Sequence, residues 1–317
     1  MKYKKLNTLL IFVMLLSLLV SCNINNEIIS ESSEITSEVS TFSSEISTEA
    51  SAEQSEGGSS EEQSQPNNDL LRISFIDVGQ GDCILIKTAE GNNILIDSGS
   101  LESKDKVLNY LEFENVDEIE YAFFTHPHAD HIGAADEILK SIEIKNVYIP
   151  NAVTTTQVYN RMLDELEKHE SVVQAKSGQK ISFDGIEIDI LSPIKDEYND
   201  LNKYSIVMKL TYGKNSFLLT GDATSENEVE MLEKGLDLKA DILKIGHHGS
   251  NTSTSSEFLT AVAPEVAVIS CGVNNRYGHP HQETLEKLKD IDTYRTDQGG
   301  TIIVYCSLED YVIKTER

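Results

Sequence analysis

The 317 residues carry 53 acidic against 26 basic side chains, a formal charge of −27, with 39% hydrophobic residues and no tryptophan. A field of that sign repels free polyanions at long range and gives no support to unspecific nucleic-acid binding. The four cysteines show no C-x-x-C spacing that would argue for a cysteine-ligated zinc site.

The first residues stand apart from the rest. MKYKK supplies three lysines and LNTLLIFVMLLSLLV an apolar stretch of 15 residues, a charged n-region and an h-region too short for an ordinary membrane span. The run ends in LVSC, which resembles a bacterial lipobox. That resemblance implies a signal peptide over 1–21, a lipidated Cys22 and an extracytoplasmic, membrane-anchored protein. Residues 22–69 follow, with 11 acidic residues and no Lys or Arg, set among serines and threonines. Such a segment cannot bury enough apolar surface to offset backbone ordering, which predicts a disordered acidic tether. The remaining segment, 70–317, has a length suited to one single-core domain and a charge of −19. Of its Cys83, Cys271 and Cys306, Cys83 and Cys306 sit in apolar runs and read as buried apolar side chains, with an extracytoplasmic disulfide left open.

From Leu70, the runs LRISFIDV, CILIKT and NNILIDSG are short, β-rich and punctuated by Gly and Asn, predicting hairpin-connected strands. KDKVLNYLEF then reads as a helix, YAFFTH as a strand and IGAADEILKS as a second helix. Next come VYI, the helix TTTQVYNRMLDELEKH, strand pairs around QKISF with IEIDIL and around SIVMKLTY with NSFLLTGD, and the helix ENEVEMLEKG. After ADILKIG, SSEFLTAV and VAVIS, a helix at TLEKLKD precedes a closing hairpin of TYRT with TIIVYC. Two strand-rich halves with helices attached predict an α+β fold, a four-layer αββα sandwich of two mixed sheets with helices outside. A doubly wound parallel sheet accommodates the early hairpins poorly. GQGD at 79–82 is a turn with no helix after it, which argues against dinucleotide binding.

The densest chemistry is FTHPHADHIG at 124–133, on the loop leaving the YAFFTH strand. His126 and His128, at i and i+2 of an extended segment, place both imidazoles on one side, while Pro127 stiffens the turn. Asp130 and His131 are adjacent and point in different directions, which separates them from the first pair and predicts a second ion. Asp222 in FLLTGDA and His247 in DILKIGHHGS each follow an apolar strand at the same end of the fold. The six candidates form a mixed N/O set suited to one or two divalent ions, Zn or Mn, with iron also compatible.

H126-P-H128-A-D130-H131-I-G resembles the signature of the metallo-β-lactamase superfamily. DVGQGD at 77–82, ILIDSG at 94–99, FLLTGD at 217–222, LKIGHHGS at 243–250, YGHPH at 277–281 and YRTDQGG at 294–300 resemble, more narrowly, the hydrolase domain of ComEC-type competence proteins and its secreted relatives. The resemblance implies an αββα sandwich with metals at one edge and a metal-activated water that attacks phosphorus or an acyl carbon. It implies His126 and His128 for a first ion, Asp130, His131 and His247 for a second, and Asp222 as the bridge. The superfamily's further first-ion histidine has no match. His169 reads as a helix end, and N202-K-Y-S205 stands where that ligand falls. The channel relatives' polytopic membrane part has no counterpart in this sequence, so DNA translocation is not inferred.

His248, beside a ligand, is expected to donate a hydrogen bond or proton to the reacting group, and Asp130 to orient the nucleophile. His281 is expected to contact a phosphoryl oxygen, with His279 as turn structure and backbone N–H groups of a helix starting near His281 as further donors. Ser250 and Asn251 read as helix caps or substrate contacts, and Tyr277, Tyr294 and Arg295 as scaffold. The function expected is a metal-dependent hydrolase acting on a phosphodiester such as DNA, RNA or a wall polymer. An ester, lactone or β-lactam hydrolase is the alternative, followed by a catalytically weak metal-binding surface lipoprotein. No protein partner is evident.

Overall fold

A computed structural model of the chain describes residues 70–317; the signal peptide, Cys22 and the tether expected over 1–69 lie outside the described residues. Strands β1 (Leu71–Phe75), β2 (Ile84–Lys87) and β3 (Asn93–Ile96) form the antiparallel meander that the Gly- and Asn-punctuated runs predict. Helix α1 (Lys104–Phe113) then crosses over to β4 (Glu118–Phe123), which pairs in parallel with β3. Past the short α2 (Ala129–Ile132) and α3 (Ala135–Ser141), β5 (Glu143–Ile149) extends the parallel part. Helix α4 (Gln157–Leu166) leads to β6 (Val172–Gln174) at the edge.

The second sheet repeats this plan with different residues. β7 (Lys180–Phe183), β8 (Ile186–Ser192), β9 (Val207–Tyr212) and β10 (Asn215–Leu219) run antiparallel. β11 (Ile242–Lys244), β12 (Val266–Ile269) and β13 (Asp292–Arg295) continue in parallel, linked by α5 (Ser225–Glu233), α6 (Ser256–Val262) and α7 (Gln282–Lys287). The expected closing hairpin is corrected: β13 belongs to the second sheet. The following α8 (Thr296–Gly299) and Gly300, at φ 71°, carry the chain across to β14 (Ile302–Cys306), which pairs antiparallel with β1. The last hairpin is β14 with β15 (Tyr311–Thr315). The first sheet thus has eight strands, ordered β15-β14-β1-β2-β3-β4-β5-β6, and the second seven, ordered β13-β12-β11-β10-β9-β8-β7.

Period-two alternation explains why both sheets are covered twice. Ile84, Ile86, Ile94, Ile96 and Phe123 share a buried cluster with Met208, Leu210, Phe217, Ile242 and Val268, the core between the sheets. Their neighbours Leu85, Leu95 and Ala122 turn outward to Val107 and Leu111 of α1 and Ile138 of α3. Val207, Leu218, Leu243 and Ala267 turn outward to Met231 of α5 and Phe258 of α6. Three apolar cores between four layers are the αββα sandwich expected. Cys83, Cys271 and Cys306 are buried and unpaired within it. Among the described residues, no helix is long and apolar enough to cross a membrane.

Candidate metal centre

The parallel strands of each sheet deliver their carboxyl ends to one edge, where connecting loops replace the ladder and polar side chains converge. At the end of β4 the buried Thr125 is pinned by Asp97, which follows β3: its backbone N–H and its hydroxyl each donate to that carboxylate at 2.7 Å. The chain then leaves extended through His126 and Pro127, and His128, in β conformation, N-caps α2. That entry places Asp130 and His131 in the first helical turn. Two glycines allow the loop to pack this closely. A Cβ on Gly81, whose φ is +139°, would lie 2.2 Å from the Asp130 carbonyl oxygen, and one on Gly133 2.1 Å from Ser100.

Asp222, fully buried after β10, is the hub of the site. Its Oδ1 lies 3.2 Å from His131 Nε2 and 3.4 Å from His248 Nε2. Those two nitrogens are 3.3 Å apart, and His248 Nε2 is 3.5 Å from Asp130 Oδ2. Tetrahedral ligands about 2.0 to 2.2 Å from one ion are separated by about 3.3 to 3.6 Å, so Asp222 Oδ1, His131 Nε2 and His248 Nε2 already stand at coordination spacing, with Asp130 next to His248. Asp222 Oδ1 is buried and makes no hydrogen bond, as an atom kept for a cation would be.

The other oxygen faces a looser group. Asp222 Oδ2 is 3.8 Å from His126 Nε2 and 3.7 Å from His247 Nε2, and His126 Nε2 is 3.0 Å from His128 Nδ1. His126, His128 and Asp222 offer ligand atoms within 4.8 Å of one another. Ser205 is fully buried beside Asp222 and its hydroxyl accepts the Asp222 backbone N–H at 3.1 Å. His169 instead meets the Leu139 carbonyl at 3.2 Å.

Groups behind the imidazoles fix which nitrogen faces the hub. His131 Nδ1 is 2.7 Å from Asp97 Oδ2, and His248 Nδ1 is 2.9 Å from the Ser270 carbonyl. A carbonyl only accepts, so Nδ1 of His248 donates and its Nε2 is the atom free to ligate; the Asp97 carboxylate imposes the same on His131. Asp82 supplies a further carboxylate, and Asp82, His131, Asp222 and His248 fall within 4.8 Å of one another. Asp82, however, meets the Nδ1 edges, 3.5 Å from His248 and 3.9 Å from His131, and its Oδ2 is 2.5 Å from Lys244 Nζ. We therefore place it behind the two rings, with Asp130 as the carboxylate on the Nε2 side of His248.

The electrostatics match. Burial works against a charged imidazole at His131 and at His248. Asp222 with Asp97 at the first, and Asp222, Asp130 and Asp82 at the second, nonetheless hold both well above the ordinary histidine value. His126 goes the other way: burial, reinforced by the neighbouring His131, pushes it well below. Burial opposes ionisation of Asp82, yet Lys244 and the neighbouring His248 keep it down at about 2. Asp222 is held low against its burial by His131 and His248. Asp97, with burial dominant, is raised. The cluster is a set of carboxylates and imidazoles that shift one another's protonation in opposite directions.

Several expectations are relocated. The histidine that joins Asp130 and His131 is His248, not His247; consecutive left-handed residues, His247 at φ 50° and His248 at φ 55°, turn the two rings to opposite oxygens of Asp222. His281 is not free to meet a phosphoryl oxygen: its Nδ1 accepts the Asn251 N–H at 2.9 Å and its Nε2 faces the Tyr277 carbonyl at 3.3 Å. His279 carries a buried Nδ1 without a partner, and its ring lies 5.4 Å from that of His247. Burial and the imidazoles of His247 and His248 bring His279 down to about 4. The cap of α6 is Ser255, accepting from the Phe258 N–H at 3.2 Å, rather than Ser250 or Asn251. Arg295 pairs with Asp297 and Tyr294 packs on the inter-sheet core, as scaffold residues do, whereas Tyr277 is 47% exposed. Asp82 in DVGQGD, Asp97 in ILIDSG and Lys244 in LKIGHHGS each lie next to an apolar run, and a carboxylate or lysine so placed gives no sign in the sequence of what it will face.

Comparison with known proteins agrees with this geometry. A family model described as "Metallo-beta-lactamase superfamily" matches residues 76–273. ComE operon protein 3 of Bacillus subtilis is 33% identical over 250 residues, covering 73% of this chain and 32% of that protein. Recombination protein 2 of Haemophilus influenzae is 34% identical over 222 residues, covering 68% and 26%. The chain therefore spans between a quarter and a third of the length of these relatives. Among solved structures, the metallo-beta-lactamase fold protein YhfI from Bacillus subtilis superposes with a TM-score of 0.50 at 13% identity, covering 74% of this chain and 99% of that one. A CmlA beta-hydroxylase E377D mutant gives 0.51 at 14%, covering 76% and 55%; both show the fold alone. With the family model spanning most of the described domain and the histidine-aspartate cluster lying inside the match, the chain belongs to the metallo-beta-lactamase superfamily and is homologous to the competence-associated proteins.

Proposed function

We propose that this metal-dependent hydrolase is a phosphodiesterase, acting outside the cytoplasm from a lipidated Cys22 on DNA, RNA or a phosphodiester of a wall polymer. The observation that carries the reading is the convergence of two ligand groups on the two oxygens of one buried carboxylate, Asp222. Two cation positions sharing a bridge suit in-line displacement at phosphorus, where attacking and leaving oxygens both need charge stabilisation. His131, His248, Asp130 and Asp222 Oδ1 would hold one ion, and His126, His128 and Asp222 Oδ2 a second; Zn²⁺ and Mn²⁺ both accept such mixed ligands. A bound divalent ion supplies Lewis acidity and makes a water nucleophilic near neutral pH.

The chain's own residues supply orientation. Asp97 and the Ser270 carbonyl hold His131 and His248 with Nε2 toward the hub. Ser205 fixes the Asp222 backbone. Since the ring nitrogens of His248 and His281 are already engaged, His247 and His279 are the imidazoles left to meet a phosphoryl oxygen. The relatives' names, a recombination protein and a competence protein among them, are compatible with the nucleic-acid arm of this proposal.

The test is hydrolysis of bis(p-nitrophenyl) phosphate by chelator-stripped protein after return of Mn²⁺ or Zn²⁺, with His131→Ala as control. Activity restored by metal and missing from the variant supports the proposal. Turnover of lactones or β-lactams with none of the diester would replace it by the acyl-hydrolase reading.

A further inference from the structure

Lys244 is fully buried on the inter-sheet face of β11, two residues on from Ile242, in a position that the alternation reserves for apolar side chains. Burying an ammonium there is costly unless it is paired, and a hydrophobic residue would pack the same space more cheaply. Packing therefore does not explain the lysine. Its Nζ lies 2.5 Å from Asp82 Oδ2 and 3.4 Å from the Gly221 carbonyl, one residue before the hub carboxylate. Asp82 in turn lies against the Nδ1 edges of His248 and His131, at 3.5 and 3.9 Å, and its Oδ1 makes no hydrogen bond.

The same carboxylate belongs to a group of four donors, with His131, Asp222 and His248, that are close enough to share a cation. The ammonium of Lys244 already sits on Asp82. We infer that Lys244 is a built-in counter-charge beneath the centre: it occupies Asp82 in place of a cation and sets how tightly His131, His248, Asp130 and Asp222 hold their divalent ion. This rests on reading the cluster as a metal centre. Lys244 and Asp82 act through the two histidines and are positioning residues, and their two charges act on the ion with opposite sign.

The sign gives the test. Lys244→Met removes the positive charge and leaves the Asp82 anion against both rings, so divalent affinity rises. Asp82→Asn leaves the ammonium without its partner, so affinity falls. The double variant removes both charges and returns near the parent. A purely structural pair would weaken binding in both single variants. The full chain is stripped with chelator, checked for folding by circular dichroism, and titrated with Mn²⁺ and with Zn²⁺ by calorimetry, which reads affinity and stoichiometry without any substrate. The expectation is about tenfold tighter binding for Lys244→Met and about tenfold weaker for Asp82→Asn, at the low end of what residues behind metal ligands contribute. Weaker binding in both overturns the inference. Should Lys244→Met fail to fold, the decision passes to Asp82→Asn and the double variant: recovery of affinity on adding Lys244→Met supports the counter-charge, and no recovery overturns it. Absence of divalent binding by the parent chain would overturn the metal centre itself, a result distinct from either.

Discussion

The two oxygens of Asp222 face unlike halves of the centre. On the Oδ1 side, His131 Nε2, His248 Nε2 and Asp130 Oδ2 are spaced between 3.2 and 3.5 Å along their contacts, and both rings are locked from behind. On the Oδ2 side the histidine contacts to Asp222 lengthen to 3.8 and 3.7 Å, and the Ser205 hydroxyl holds the Asp222 backbone. One carboxylate thus serves a preorganised site and an adaptable one. The difference teaches that preorganisation here rests on what stands behind the ligands as much as on the ligands themselves.

The largest effect should come from breaking the shared hub: Asp222→Asn is expected to abolish tight binding on both sides, seen as loss of all bound metal after dialysis and of diester hydrolysis. Asp97→Asn spares every ligand yet releases His131, and we expect about 10- to 100-fold weaker binding of the tight ion by calorimetry. His128→Ala should leave that tight ion in place and remove only the weaker one, so metal analysis would fall from two ions to one; loss of the tight ion would erase the asymmetry. His281→Ala, which cuts the brace to Asn251 and Tyr277, should leave metal affinity unchanged and lower only the thermal midpoint, by a few degrees.

A pH series sharpens the contrast without mutation. His131 and His248 are held above their ordinary value near 6.5 in the metal-free fold. Their stabilisation of the metal-free protein is therefore complete below about 6.5 and is lost as pH rises through the raised values. Asp82 and Asp222, held below their ordinary 3.8, contribute above that value and lose it as pH falls further. Ligation needs both Nε2 lone pairs, so metal binding should release protons and strengthen as pH rises. Melting curves should show the stripped protein losing stability above pH 6.5 while the loaded protein gains. Parallel curves would mean that the two histidines do not exchange protons for metal.

Much of this was legible in the chain. The hairpin runs and alternating apolar positions give the αββα sandwich, because period two decides which face each side chain serves. The spacing of His126, His128, Asp130 and His131 gives two ligand groups, because neighbouring residues diverge. What stayed hidden depends on long-range packing. The choice between His247 and His248 turns on two left-handed residues that no pattern marks. The roles of Asp82, Asp97 and Lys244 depend on segments that are far apart in sequence, and the crossing of β14 to the first sheet depends on a four-residue helix that reads as a turn.

The left-handed pair at 247 and 248 carries a consequence for mutational tolerance. Positive φ at two successive non-glycine residues is sterically costly, and Asn, Asp and Gly accept it far better than β-branched side chains. A saturation library at position 247 should therefore be sorted first by backbone preference and only then by chemistry. Asn should keep the protein folded and its metal in place, whereas Val and Ile should deplete it from the soluble fraction. A survival map of that position would look like that of a tight turn, although the side chain it scores stands at the mouth of the centre.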